Sequence, residues 1–412
     1  MSQTDASASI TDPAHAPRPE EQHVIEAALD HLVQQTAGPS DGTLASQCAP
    51  DSPLRPAPEA LKTKHSWFKR FYPKELYDLV EERMDSLFAE HHLGNYVALR
   101  TTPPTKIFEA MPIAVRLGMH VLFYRKKASS LLKYDSVEDM LEKLSIKQGK
   151  AYDDASDPAA VKEHILDFVK TYEIRLDELA EPDVNKYKCM NAFFYRALKP
   201  GARPIAEPGN SKLISSAADC RLIVFDNVDA ATKFWIKDRL FTIGHVLDDQ
   251  SLADTTFPPG SSLAIFRLAP ADYHRWHNPV GPATVGPTKH LRGEYYTVNP
   301  QSVNNDFAVF TANRRDIGLV HWAPGGGQTT HTVAMVAVGA MLVGAIQWSN
   351  FTQGGTVQRG DEQGYFAYGG STCIAIFPPS AKVEWDADLL ANSQSGIETM
   401  VRVGERIGIS TA

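Results

Sequence analysis

The sequence predicts an α+β protein: a mainly helical N-terminal region followed by a β-rich domain, closed on itself as a barrel or packed as a sandwich. Three observations predict it. Apolar residues recur every three and four positions in several stretches before about residue 190. Beyond Leu213 they shorten to β-branched and aromatic runs separated by Gly, Pro, Asn and Asp. No βαβ alternation appears, which disfavours a doubly wound nucleotide fold. A chain of 412 residues can bury a full core without disulfide staples. The expected divisions are an acidic, Pro-rich tail over 1–60, a mainly helical region over 61–190 and a β-rich domain over 191–412.

Residues 1–60 hold nine Asp and Glu against two Arg, with eight prolines, and read as a mostly disordered tail. That segment carries −7 of the net −8, so the remainder is nearly neutral, which disfavours a general nucleic-acid binder. Its acidity also argues against an Arg-rich organelle presequence. After Pro73, the residues Leu76, Leu79, Val80, Met84, Leu87 and Phe88 recur at helical spacing, and proline suits the first position of such a helix. Thr101-Thr-Pro-Pro-Thr105 then breaks the chain.

The stretch from Met111 to Lys127 has a broad apolar surface, with Arg116 and His120 on one face and Arg125-Lys126-Lys127 at its end. Such a helix either lies in a lipid interface or is buried on the main domain. Acidic residues in Asp135-Ser-Val-Glu138 open a further helical segment, and residues 161–172 carry another. No run reaches 18 apolar residues, so no membrane-crossing helix is predicted. Cys48, Cys189, Cys220 and Cys373 lie far apart with no C-x-x-C pair, which implies neither a thiolate zinc site nor a disulfide framework. A reducing compartment is the default.

The predicted strands are Leu222-Ile-Val-Phe225, Leu263-Ala-Ile-Phe-Arg-Leu268, Tyr295-Tyr-Thr-Val298, Phe307-Ala-Val-Phe310, 333–338, 341–346 and Cys373-Ile-Ala-Ile-Phe377. Three segments among them could carry chemistry. Gly325-Gly-Gly-Gln-Thr-Thr330 lacks the Gly-Lys-Ser/Thr ending of a phosphate loop and reads as a hairpin connection. Tyr273-His-Arg-Trp-His277 places two imidazoles three residues apart. A zinc site would need a third ligand at suitable spacing, and none is apparent, so acid–base work is the better functional use. Gly364-Tyr-Phe-Ala-Tyr-Gly-Gly-Ser-Thr372 taken alone is a Gly-Gly turn leading into a strand.

Several blocks taken together carry a family resemblance. They are Asn191-Ala-Phe-Phe-Tyr-Arg-Ala-Leu-Lys-Pro-Gly-Ala-Arg-Pro204, Ser215-Ser-Ala-Ala-Asp-Cys-Arg221, Phe234-Trp-Ile-Lys237, Phe241-Thr-Ile243, Phe266-Arg-Leu-Ala-Pro-Ala-Asp-Tyr-His-Arg-Trp-His277, Gly293-Glu-Tyr-Tyr-Thr-Val-Asn-Pro300, Val338-Gly-Ala-Met-Leu-Val-Gly344 and Arg359-Gly-Asp-Glu-Gln-Gly-Tyr-Phe-Ala-Tyr-Gly-Gly-Ser-Thr372. From about Gly149 to Gly408 the chain resembles the phosphatidylserine decarboxylase proenzymes, in the form typical of the larger fungal and plant members.

The resemblance implies a pyruvoyl enzyme made by self-cleavage between Gly370 and Ser371, leaving a large chain, 1–370, and a small chain, 371–412. By family position Ser371 is the nucleophile, His277 its base and Asp219 the orienting carboxylate, and Ser371 becomes the pyruvoyl group that forms a Schiff base with the substrate. His274 is assigned to decarboxylation. A glycine before the nucleophile removes a side chain from the bond under attack.

The resemblance further implies a phospholipid substrate, peripheral membrane contact through Met111 to Lys127, a homodimer, and an intracellular location, cytoplasmic or at a membrane surface. Two segments depart from the family pattern, Asn278-Pro-Val-Gly-Pro282 and Thr311-Ala-Asn-Arg-Arg315, and the N-terminal part shows no obvious calcium-binding lipid module or anchor. The alternative within the same chemistry is a soluble relative that decarboxylates a free amino acid such as tryptophan. From other classes come a Ser-His-Asp hydrolase and an inactive binding module.

Overall fold

Seven consecutive residues, Ser371 to Phe377, are all buried, the pattern of a strand covered on both faces. The computed structural model describes residues 95–109, 150, 152–172, 174–228, 241–269, 271–293, 309–339, 345–367 and 371–412. The chain divides into two compact units, and the unit made of residues 97–105 and 141–412 holds nearly all of the described residues.

In chain order the strands are β1 (Asn95–Leu99), β2 (Thr105–Glu109), β3 (Leu213–Ser215), β4 (Cys220–Phe225), β5 (Ser262–Leu268), β6 (Arg275–His277), β7 (Ala283–Leu291) and β8 (Arg315–Trp322). They continue with β9 (His331–Gly339), β10 (Ala345–Trp348), β11 (Thr356–Val357), β12 (Glu362–Ala367), β13 (Ser371–Phe377), β14 (Val383–Trp385), β15 (Glu398–Val401) and β16 (Arg406–Ser410). The helices are α1 (Pro158–Tyr172), α2 (Met190–Phe194), α3 (Ile243–Leu247), α4 (Gln250–Thr256), α5 (Val309–Ala312) and α6 (Ala387–Gln394). The protein is thus mixed and strand-rich with few helices among its described residues.

The large sheet runs in the order β11–β7–β8–β9–β13–β5–β4–β15–β1. Its interior pairs are antiparallel, and β1 lies parallel to β15. Central strands β4, β5 and β13 are buried at every position, which is why their sequences read as mainly apolar runs rather than alternations, and their buried Arg221 and Arg267 pair with Asp272 and Glu398. Within a three-stranded sheet, β10–β12–β6, Trp276 packs on Phe366 with ring centroids 4.6 Å apart and edge-on to Trp348 at 5.4 Å. Trp348 and Phe351 in turn cover Gly318 of β8, where any Cβ would fall 2.5 Å from the indole. A third sheet, β14–β16–β3, completes the unit.

α1 joins through aromatic contacts. Its buried Phe168 meets Phe193 and Phe194 of α2, with centroids 6.2 and 6.4 Å apart, and Tyr187 meets Phe193 at 5.1 Å. This places the C-terminal end of α2 at the candidate site.

The apolar runs expected at 222–225, 263–268, 333–338 and 373–377 fall in β4, β5, β9 and β13, and residues 161–172 fall in α1. Pro324–Gly326 turns the chain between antiparallel β8 and β9, so the glycine-rich loop is a hairpin connection. Gly325 and Gly326 there take φ of 68° and 70°, a region that favours glycine. Of the strand expected at 307–310, residues 307 and 308 lie outside the described residues and the remainder is corrected. Phe310 sits in helix α5, whose end is tied by the Arg315 guanidinium donating to Thr311 O at 2.6 Å and Asn313 O at 3.1 Å. β1 and β2 stand within the stretch expected to be mainly helical.

The acidic tail, the helix after Pro73, Met111 to Lys127, the segment opened by Asp135, Cys48 and the runs at 295–298 and 341–344 lie outside the described residues. Among the described residues, no helix is long and apolar enough to cross a membrane.

Candidate active site

β13 begins at Ser371, between Gly339 of β9 and Leu268 of β5. The loop leaving β5 returns to this spot and carries His274 immediately before β6. Both residues are sealed from solvent, Ser371 at 1% exposure and His274 at 0%. The Ser371 Oγ lies 3.0 Å from His274 Nδ1. On the other side of the ring, Nε2 is 3.0 Å from the carbonyl oxygen of Ala269. A carbonyl only accepts, so Nε2 carries the proton; in the neutral ring Nδ1 is then the free lone pair, and the Ser371 hydroxyl donates to it. This is the tautomer a general base for Ser371 requires.

The loop is held from several sides. Asp272 accepts the Ala269 N–H at 2.7 Å and forms an ion pair with Arg221 of β4. Arg196, just beyond α2, donates to the carbonyls of Ala271 at 2.8 Å and Asp272 at 3.0 Å. Burial pushes the Arg196 guanidinium down to about 10, against the pull of Asp272, so it is still charged at neutral pH. Phe194, the last residue of α2, lies over the His274 ring, with centroids 4.0 Å apart and planes inclined by 32°.

The other two expected residues are engaged elsewhere. His277 Nδ1 donates to Gly360 O at 2.8 Å, and Nε2 accepts from the Tyr273 hydroxyl at 3.2 Å. Burial holds this imidazole below its ordinary value, partly offset by the Gly360 carbonyl and by Glu362 and Asp219. Asp219 accepts from Arg203 Nε at 3.0 and 2.9 Å and from the Val403 N–H at 2.9 Å, while Arg203 also pairs with Glu178 at 2.8 Å. Arg203 holds the Glu178 carboxyl below the usual carboxylate range against the opposing effect of burial. The structure therefore joins Ser371 to His274 and does not hydrogen-bond Asp219 to His277 or His277 to Ser371. Gly370 lies outside the described residues.

Phe194, Arg196, Arg203 and Tyr273 all fall in the blocks that carry the resemblance, but nothing in their spacing marks them as parts of a site. An arginine that holds a loop through backbone carbonyls leaves no complementary side chain to find.

Comparison with known proteins gives the same direction. A family model described as phosphatidylserine decarboxylase matches residues 190–409. The chain belongs to the phosphatidylserine decarboxylase family. It is 43% identical over 298 residues to phosphatidylserine decarboxylase proenzyme 2 of Oryza sativa subsp. japonica, covering 72% of this chain and 45% of that one. It is 40% identical over 300 residues to phosphatidylserine decarboxylase proenzyme 3 of Schizosaccharomyces pombe, covering 73% of this chain and 29% of that protein. A bacterial relative, the phosphatidylserine decarboxylase proenzyme of Fusobacterium nucleatum, is 37% identical over 251 residues, 60% of this chain and 78% of its own length. The chain thus spans less than half the length of these plant and fungal members. The family match includes the His274 loop and Ser371.

Proposed function

We propose that this chain is a proenzyme that cleaves itself between Gly370 and Ser371 and then converts phosphatidylserine to phosphatidylethanolamine and carbon dioxide. The observation that carries the proposal is the buried Ser371 hydroxyl donating to His274 Nδ1, in a chain of this family. As Oγ attacks the Gly370 carbonyl carbon, its proton passes to His274. The Gly370–Ser371 C–N bond breaks as an ester forms, and the freed amine takes the proton back. Removal of the Ser371 α-proton then expels the Gly370 carboxylate and releases residues 1–370 from 371–412. Water finally displaces the nitrogen as ammonia.

The site fits a pyruvoyl group at position 371. The side chain that would become it is withheld from water, and its hydroxyl meets a nitrogen able to take a proton. Such a group supplies a ketone that acts as the electron sink when carbon dioxide leaves. His274 remains beside it, able to hold or return a proton at Nδ1. The lipid substrate requires contact with a membrane surface, which residues 111–127 are proposed to provide.

The family resemblance gives the base role to His277. Here we assign it to His274, because His277 uses its acceptor nitrogen on Tyr273 and has none left for Ser371. His277 and Asp219 are then proposed to brace the strands around the cleavage segment through Gly360 and Val403.

The test is intact mass under denaturing conditions. Wild type should give a fragment of about 4.6 kDa, the share of 45.3 kDa held by residues 371–412, with a blocked first residue. Ser371→Ala and His274→Ala should each remain one chain, and His277→Ala should still cleave. A folded His277→Ala protein that stays whole while His274→Ala cleaves would return the base to His277. Uncleaved wild type labelled at Ser371 by a fluorophosphonate would instead favour a hydrolase. Carbon dioxide release from phosphatidylserine vesicles but not from tryptophan separates the lipid enzyme from the amino-acid one.

A further inference from the structure

We propose that Arg196 and Arg275 are positioning residues for His274, forming a reciprocal clasp that fixes where the proton is returned when carbon dioxide leaves the substrate. The inference rests on the reading of this chain as a pyruvoyl decarboxylase with His274 beside residue 371, and is independent of which histidine serves self-cleavage. Residues 271–274 belong to no helix or strand, so their place is set from outside the segment. The two arginines span the gap between this segment and the end of α2 in opposite directions. Arg196, just beyond α2, donates forward to Ala271 O at 2.8 Å and Asp272 O at 3.0 Å. Arg275, directly after His274, donates back through Nε to Tyr195 O at 3.0 Å and Arg196 O at 3.4 Å. His274 is therefore gripped on both sides along the chain, in addition to the tie from the Phe366 N–H of β12 to its carbonyl at 3.0 Å.

Such a clasp is costly for a purely structural tie. Arg196 is 4% exposed and, among the described residues, its hydrogen bonds all go to main-chain carbonyls, Phe194 O at 3.3 Å being the third. Burying a guanidinium with no carboxylate bonded to it forgoes the ion pair that ordinarily offsets its desolvation. What it gains is geometry, because a planar fork donates in fixed directions and holds two successive carbonyls at once, as a lysine does not. Arg275 is braced in turn. Glu362 of β12 accepts from its Nη1 at 2.8 and 3.0 Å, and the Tyr365 ring, stacked on Tyr195 at 4.7 Å, lies 5.3 Å beneath the guanidinium. The clasp thereby ties His274 to β12 and α2 rather than to its own loop. A displacement of roughly 1 Å at a reacting centre costs about 10²-fold in rate, so this tie bears on the proton transfer.

The electron pair left when carbon dioxide departs takes one proton, and two carbons compete for it. At the substrate carbon, protonation and addition of water release phosphatidylethanolamine and restore the ketone of residue 371. At the carbon of residue 371, protonation and addition of water release the substrate carbon as an aldehyde, and the nitrogen stays behind as the free amine of an alanine. A held His274 delivers to the first carbon, and a loosened one lets the second compete. The experiment uses the full chain, incubated until the small chain is fully released, since self-cleavage occurs once per chain and a slow variant still completes it. Arg196→Lys and Arg275→Lys keep the charge but lose the fork. Each should lower kcat on phosphatidylserine vesicles about tenfold, a fraction of the loss for a full displacement, with KM held within about twofold. Each should also convert a share of small chains that grows with turnover from a blocked first residue to a sequenceable alanine. Tyr187→Phe, which takes the 2.7 Å bond to Glu181 O from a ring packed on α2, controls for loosening: it should lower the melting temperature without producing alanine.

Wild-type kcat with a blocked first residue in both lysine variants would overturn the inference, and so would a lowered kcat without alanine, which leaves the arginines as packing. Alanine in Tyr187→Phe at the same rate would reduce the effect to general loosening and overturn it as well. Folded lysine variants that never mature would place the clasp before decarboxylation, against the inference. If either lysine variant does not fold, Glu362→Gln, which weakens the brace on Arg275, is read by the same criteria. Wild type keeps the two levels apart. A wild-type chain with no blocked small fragment, or with no carbon dioxide released from phosphatidylserine, fails the functional reading itself; normal wild-type turnover with unaltered variants fails only the clasp.

Discussion

His277 shows how burial ties one side chain to the pH dependence of the whole protein. Its ring is neutral in the folded state, donating from Nδ1 to Gly360 O, and burial lowers its affinity for a proton below the ordinary value of 6.5. His331, bonded through Nδ1 to the Ser380 hydroxyl, is lowered for the same reason. In the window below 6.5 the unfolded chain binds more protons at these positions than the folded one, so stability rises with pH there. Both contributions are complete above 6.5 and are lost as pH falls toward the folded values. Urea midpoints should therefore drop between pH 7.5 and 5.5, and His277→Asn should flatten part of that drop while His331 preserves the rest. An unchanged slope in His277→Asn would show that His277 is not held neutral. At this scale the sequence made His274, His277, Asp219 and Ser371 visible as candidates, but not which imidazole touches the serine. Two histidines three residues apart differ in partner only once the loop from Ala269 to Tyr273 turns one ring inward.

Short elements in this protein are set by close approaches that their composition does not announce. Runs such as 263–268 and 373–377 were legible because strands buried on both faces are apolar at nearly every position, Arg267 being admitted by its pairing with Glu398. β12 and β7 were not, because Glu362-Gln-Gly-Tyr-Phe-Ala367 opens on polar residues and Ala283–Leu291 contains glycine and proline. Gly364 explains the first case. A Cβ there would lie 2.3 Å from both Gln347 O and the Trp276 ring, so the residue allows β12 to lie tightly between β10 and β6. Gly364→Ala should destabilise the fold by about 2 kcal/mol or more, the cost of forcing atoms into a filled space. Because Phe366 N–H of β12 donates to His274 O at 3.0 Å, the same substitution should slow self-cleavage. Thermal unfolding and the mass assay together check this. A stable Gly364→Ala protein that matures at the normal rate would show that the small sheet tolerates spreading and does not hold His274.

At the scale of the whole molecule, the proposed cleavage before β13 would cut the chain at a place where the sheet is held on both sides. β13 lies between β9 and β5, paired with both over most of its length, and the residues from Cys373 to Phe377 have no solvent exposure. Residues 371–412 also supply β14, β15 and β16, which pair with one another or with β1, β3 and β4 of the large chain. Fully burying side chains such as Ile374, Ile376 and Phe377 contributes about 1.5–3 kcal/mol each, before the backbone hydrogen bonds of the ladders are considered. Loss of that single covalent link would thus leave residues 371–412 held by the core itself. The mature protein should elute from a sizing column as one species containing both chains, and the fragment of about 4.6 kDa should separate only when the fold is lost. Urea titration followed by chromatography gives the test: release of the small chain should coincide with global unfolding measured by tryptophan fluorescence. Release at much lower urea, with the remaining sheet intact, would mean that β13 is an accessory strand and that the cleavage site is not embedded in the core.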